Sequence, residues 1–252
     1  CVHLVQGLLV VPQHNHFVNE LKKAGYTRRV SCCETVTLTY ICRMEGPTTV
    51  GIYAKVKNLL FGAFPAQNSE DLFAIIKSLY SEILPASNVL ETALSNMNAV
   101  FHPPGMLMNT GWVESTGGDF LFYRQGMSPA VGRVTAAVDK ERMEVAKALG
   151  VKTRSFLDNF FEAGLTTKEA RDSNDISRAC YESMPNRTIK SPSSLDDRYI
   201  HEDVGYGLVP MSELGRMVQV STPTIDAIIR LVSDATDIPY YRDGLTLEKM
   251  GI

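Results

Sequence analysis

The feature that most constrains this chain is a change of hydrophobic period near Gln67 to Ser69. Before it, apolar and β-branched residues run in short blocks: Val2 to Val11, Arg29 to Cys33, Thr48 to Val56 and Asn58 to Phe64. The first of these is continuous, the pattern of a strand buried on both faces. Phe17 to Ala24 reads as a short amphipathic helix stopped by Gly25. After the change, apolar residues recur every three or four positions through Ser87 to Met97, Pro129 to Leu149, Ser155 to Phe161 and Thr224 to Thr236. That is the period of helices packed by one face. Asn68-Ser69-Glu70-Asp71 supplies an N-cap and an acidic first turn, opening a helix through Tyr80. The pattern predicts part of an α/β sheet over residues 1–67 and a helical unit over residues 68–252. Met184 to Ser194 reads as a loop, and the charge cluster Asp139 to Arg142 reads as a solvated helix face.

Charge excludes several classes of function. With 25 basic and 28 acidic residues the formal net charge is −3, which leaves no electrostatic footprint for nucleic acid or an anionic membrane. No apolar run approaches the roughly 18 residues that a membrane helix needs. Leu4 to Val11 has neither a basic segment before it nor a small-residue cleavage site after it, so it reads as a buried strand. The five cysteines include the adjacent pair Cys32 and Cys33 and form no CxxC spacing. That usage predicts free thiols and a cytoplasmic setting. His14 and His16 have no carboxylate or cysteine at metal-ligand spacing, so no metal site is expected and both read as loop residues.

The chemistry concentrates in two places. Arg198-Tyr-Ile-His-Glu-Asp-Val-Gly-Tyr-Gly-Leu-Val-Pro210 puts an arginine, a histidine, two carboxylates and two glycines in one short stretch. It reads as the floor of an active site with His102 as its ceiling. His102 precedes Pro103 and Pro104, and a residue before proline is pushed out of the α region while proline suits a first helical position. His102 is therefore expected at a helix N-cap, where the helix disfavours the imidazolium and a nearby carboxylate favours it. A hydrogen-bonded structural cap is the competing account. Asp203 could hold an imidazole in one tautomer and Arg198 could fork a carboxylate, or the two could form a surface ion pair. On a continuous helix their spacing splays them by about 140°, so facing one site would need a turn between them. His201 and Glu202 are weaker candidates. Asn96 and Asn98 offer amides to a ligand or cap a helix, and Trp112 walls a pocket or sits in core or rim.

Taken together, Asn96-Met-Asn-Ala-Val-Phe-His-Pro103 and the Arg198 to Pro210 stretch resemble the octopine/nopaline (opine) dehydrogenase family. Glu34-Thr-Val-Thr-Leu-Thr-Tyr-Ile-Cys-Arg43 is similar to that family's link within the cofactor domain. The resemblance runs from about residue 30 onward and is strongest in the last 160 residues or so. It implies a Rossmann-like sheet for NAD or NADP followed by an all-helical domain similar to the C-terminal domain of 6-phosphogluconate dehydrogenase. It further implies reduction of the imine formed between an amino acid and a 2-oxo acid. By motif, His102 would be the general acid/base, Asp203 its orienting partner and Arg198 a clamp on a substrate carboxylate; Asn98 and Trp112 remain the residue reading's further substrate-side candidates. By analogy the chain would pair as a homodimer. The family's glycine-rich βα turn and ribose-binding acid would lie upstream of Cys1, and no GxGxxG occurs in the chain, so no cofactor-binding residue is assigned. Two other readings stay open: a 2-oxo acid or 3-hydroxy acid reductase of the same superfamily, and a catalytically silent helical module for oligomerisation or binding.

Overall fold

In the computed structural model, residues 2–6, 20–27, 30–250 and 252 are described. The early strand is β1 (Val2–Gln6), with the rest of the predicted run outside the described residues. It lies parallel to β2 (Ser31–Thr35). A separate antiparallel hairpin of β3 (Tyr40–Gly46) and β4 (Thr49–Lys55) follows. The chain then returns as β5 (Leu59–Phe64), antiparallel to β2, and β6 (Ile83–Pro85), parallel to β5. The sheet order is thus β1-β2-β5-β6. Gly25, predicted to stop the preceding helix, has φ of +81°, a conformation that costs glycine little.

The sheet unit extends past the predicted boundary. Helix α1 (Ser69–Leu79) buries Leu72 and Ile76 against Cys33, Leu59, Phe61 and Ala63, and β6 after it joins the sheet. Composition does not register these elements as part of the sheet, because α1 covers a sheet face and β6 is too short to show a period. We propose the boundary at Ala86 to Asn88. There Asn88 accepts from the amides of Leu90 and Glu91 and opens α2 (Val89–Leu94). Gly62 lets α2 close on the sheet, since a Cβ there would stand 2.9 Å from the Asn88 carbonyl oxygen.

The helical unit comprises α3 (Asn98–Met108), α4 (Thr110–Thr116), α5 (Pro129–Ala148), α6 (Phe156–Glu162), α7 (Lys168–Asp172) and α8 (Ile176–Tyr181). It continues with α9 (Arg198–Asp203), α10 (Val209–Met217), α11 (Pro223–Thr236), α12 (Tyr240–Asp243) and α13 (Leu247–Met250). One π-helical turn precedes α5 (Phe122–Gly126) and another joins α9 to α10 (Val204–Leu208). The predicted loop at Met184 contains one 3-10 turn, Met184–Asn186. Phe101, Phe122, Phe156 and Phe160 anchor a single large core, each such burial stabilising by about 1.5–3 kcal/mol.

Helix α5 organises this unit through the residues read as its solvated face. Asp139, Glu141 and Arg142 are in fact buried, Arg142 at 1% exposure. Arg142 donates through Nε and Nη2 to Asp139 Oδ1 (2.9 and 2.7 Å), through Nη2 to the Arg154 carbonyl (2.7 Å), and through Nη1 to the Leu94 carbonyl ending α2. Asp139 Oδ2 accepts from the Phe156 amide at the start of α6 (2.8 Å), and Glu141 accepts from Thr224 and Ile225 at the start of α11 (2.8 and 2.9 Å). Acids thus satisfy orphan N–H groups at two helix starts and a cation meets a carbonyl at a helix end. Charge that could not face water was placed where helix termini needed it.

Candidate active site

Asn96 Oδ1 accepts from the Asn98 amide (2.9 Å) and starts α3. His102 lies a full turn inside this helix, not at its N-cap, and Pro103 and Pro104 continue the helix after it. Each proline withdraws a donor from the helical ladder. Burial of Ala99 through Met106 offsets that local cost. Gly105 matters here, because a Cβ would come within 2.5 Å of the Phe122 ring. Its absence lets the π-helical turn carrying Phe122 and Tyr123 close on the helix beside His102.

His102 is 4% exposed and its neighbours occupy every side. Nδ1 is 2.7 Å from Asp203 Oδ2, and Nε2 is 3.0 Å from the Tyr123 hydroxyl. Tyr199 stacks on one face of the ring, with centroids 3.6 Å apart and planes within 6°, and Phe101 stacks at 4.3 Å. The Tyr123 hydroxyl is 3.2 Å from that of Tyr199. Burial pushes the Asp203 carboxyl well above the ordinary carboxylate range, against the opposing charge of Arg198. Among the described residues nothing donates to its buried Oδ1. The acid therefore meets the site through the imidazole alone.

A cavity of about 350 Å³ opens between the sheet and the helical unit. His102, Tyr123, Tyr199, Asn98 and Arg198 line its helical side, while Thr37 and Leu38, just beyond the carboxyl end of β2, line the other. The carboxyl ends of parallel strands are where open α/β sheets bind ligands. Arg198 is exposed, and its guanidinium lies 5.6 Å from the Tyr199 ring centroid. Among the described residues it forms no ion pair.

The predicted site residues are thus partly brought together. Arg198 and Asp203 share the continuous helix α9 with no turn between them, and the expected splay is satisfied. Arg198 faces the cavity while Asp203 stands behind His102. Asn98 lines the cavity; Trp112 does not, since α4 turns it outward, 39% exposed and stacked on Phe120 at 4.1 Å. Gly205 and Gly207 lie in the second π-helical turn rather than in an active-site floor. Gly205 seats the Tyr240 ring, and its carbonyl accepts from Leu245 (2.8 Å). His201 is held by Tyr240 and Asp196, and burial raises the Glu202 carboxyl above its ordinary value. His14 and His16 lie outside the described residues. Among the described residues no group of three His, Cys, Asp or Glu could hold a metal, and Cys32 and Cys180 are free thiols.

Residues 85–236 match the family model described as NAD/NADP octopine/nopaline dehydrogenase, alpha-helical domain. The chain belongs to the octopine/nopaline dehydrogenase family. Within it, the opine dehydrogenase of Arthrobacter sp. (strain 1C) is 36% identical over 227 residues, covering 88% of this chain and 60% of that protein. Protein ocs of Agrobacterium tumefaciens (strain Ach5) is 25% identical over 226 residues, covering 88% of this chain and 61% of that protein. This chain therefore spans about three-fifths of the length of these relatives. The fold is that of the family's solved members. Yersinopine dehydrogenase, solved with NADP+ bound, superposes with a TM-score of 0.76 at 15% identity, covering 99% of this chain and 71% of that one. Octopine dehydrogenase, solved with NADH and L-arginine, gives 0.68 at 17% identity over 93% and 63%. The Rossmann-like sheet followed by an all-helical unit, expected from the resemblance, is the architecture of both.

Tyr123 and Tyr199 were not assigned roles by sequence. Tyr199 lies inside the recognised motif, beside Arg198. Tyr123 sits among Phe120 and Phe122, and aromatic clusters of that kind usually signal core.

Proposed function

We propose that this protein is an NAD(P)-dependent opine-type dehydrogenase that reduces the imine formed between an amino acid and a 2-oxo acid. The carrying observation is the buried His102–Asp203 pair on the wall of a cavity that Arg198 also lines. Imine reduction needs a held proton donor, a carboxylate anchor and a hydride placed on one face. In this reading His102 exchanges the proton and Asp203 holds its Nδ1. Arg198 grips a substrate carboxylate through its fork of donors, and Asn98 adds an amide at the same wall. Leu38, Ile41, Met97, Phe160 and Leu165 offer apolar surface suited to an uncharged amino-acid side chain.

The residues present fit the reacting end of a nicotinamide cofactor, since the cavity lies off the carboxyl end of β2 with Thr37 and Leu38 at its edge. When bound, the reduced nicotinamide supplies the hydride. Burial of the dyad keeps bulk water from the proton-exchanging nitrogen, which preserves the proton for the substrate.

The deciding experiment measures NADH and NADPH oxidation by the purified protein with a 2-oxo acid and a panel of amino acids. Oxidation that requires the amine supports the reading. Oxidation with the oxo acid alone would replace it with a 2-oxo acid reductase. Failure to bind either cofactor would sink both and leave the silent helical module.

A further inference from the structure

We infer that the Tyr123 hydroxyl carries the proton between His102 and the substrate nitrogen, and that Tyr199 sets the direction of that hydroxyl. The inference rests on the dehydrogenase reading and goes beyond it, because both ring nitrogens of the histidine are already engaged, one by Asp203 and one by Tyr123. Tyr199 and Phe101 cover its two faces, Asp203 occupies Nδ1, and Tyr123 stands 3.0 Å from Nε2. Tyr123 lines the cavity and its oxygen meets the imidazole, so the relay needs only that this oxygen also meet the bound substrate nitrogen.

The hydrogen bonds form one ordered row. With the Nδ1 proton directed at Asp203, Nε2 accepts from Tyr123, whose oxygen accepts from Tyr199 at 3.2 Å. Uptake of one proton from solvent converts the neutral imidazole to an imidazolium and reverses the row, so that Nε2–H donates to the Tyr123 oxygen and the Tyr123 proton can turn to the cavity. In the reductive direction the C=N π bond opens and its carbon takes a hydride from the reduced nicotinamide, which is thereby oxidised. The nitrogen takes the Tyr123 proton, and Nε2–H reprotonates the phenolic oxygen. Tyr123 ends as it began, and His102 ends neutral. Tyr199 is a positioning residue, because it acts only by holding the Tyr123 oxygen.

The test compares Tyr123→Phe, Tyr199→Phe and His102→Ala in the amine-dependent assay, with thermal melts to verify folding. Tyr123→Phe is expected to lower kcat by about 10²-fold or more while cofactor KM stays unchanged. Its solvent-deuterium dependence should change from curved, with several protons in flight, to linear. Fluorotyrosine at position 123, which acidifies the phenol, should shift the pH profile while keeping the shape of the site. Tyr199→Phe should give a smaller loss of kcat. Wild-type kcat and an unmoved pH profile in Tyr123→Phe, with His102→Ala inactive, would overturn the relay and spare the dehydrogenase reading. Wild-type rates in His102→Ala would remove both. A readout without turnover runs in parallel: the ¹⁵N resonance of His102 Nε2 should move in Tyr123→Phe, and an identical resonance overturns the proposal.

Discussion

Among the described residues two buried pairs of a carboxylate and a basic side chain are each closed at 2.7 Å, and they differ in what is left over. In the Arg142–Asp139 pair both carboxylate oxygens are used, and the guanidinium also meets the Leu94 and Arg154 carbonyls. In the His102–Asp203 pair one acid oxygen is buried without a donor, and the outer nitrogen meets a hydroxyl on a cavity wall. The first pair is satisfied and therefore holds the fold together. The second is underfilled, a state that costs stability and persists where chemistry uses it. Satisfaction, more than burial or distance, separates a clamp from a working group.

That comparison breaks first at His102. His102→Ala should reduce turnover by about 10²- to 10⁴-fold and leave the melting temperature close to wild type, measured by steady-state kinetics and calorimetry. Arg142→Ala should do the opposite. It strands Asp139 in the core and should lower unfolding free energy by about 3–5 kcal/mol, read from urea denaturation. If Arg142→Ala unfolds no more easily than wild type, the clamp assignment fails.

Asp203→Asn sharpens the contrast. The substitution removes a carboxyl that burial already disfavours in its charged form, so stability should hold or rise while kcat falls. A melting temperature well below wild type would place Asp203 with the clamp instead. Arg198→Lys keeps the charge and loses the fork; it should raise KM for the oxo acid by about tenfold, the worth of roughly one charge-assisted hydrogen bond, with kcat little changed.

A further contrast lies at the sheet. Glu34, 3% exposed on β2, touches Thr92 of α2, and burial pushes its carboxyl up to about 8. The Thr92 hydroxyl donates to Glu34 and so opposes this rise, but burial is the larger cause. The folded state binds this proton more tightly than the unfolded chain, and stability should fall as pH rises from about 5 to 8. Glu34→Gln should flatten that slope in melts across pH, and an unchanged slope would assign it to other groups.

Much of this was legible in the sequence where a repeating period or a motif carried it. The helical period located α5 and α11 within a residue or two, and the recognised motif marked His102, Arg198 and Asp203. What escaped depended on tertiary contact. Asp139, Glu141 and Arg142 look solvated in one dimension because their partners lie in other helices and loops. The double proline argued for a helix start at His102, yet packing around α3 overrode that local preference. The three residues of β6 have too few positions to show alternation, so the sheet extends further than composition indicates. Tyr123 is ordinary in sequence and distinctive only through its distance to an imidazole.

The β3–β4 hairpin stands apart from the main sheet, and Tyr40, Ile41, Cys42 and Met44 bring it to the cavity. It carries none of the residues proposed to handle the proton, which project from the helical unit. Substitutions that reshape the ligand's surroundings can therefore accumulate on a two-stranded flap without touching the acid, the imidazole or the phenols. One ancestral reaction could diversify its substrates by changing that flap alone, and residues 40–55 are the first place to seek variation between enzymes that share this dyad.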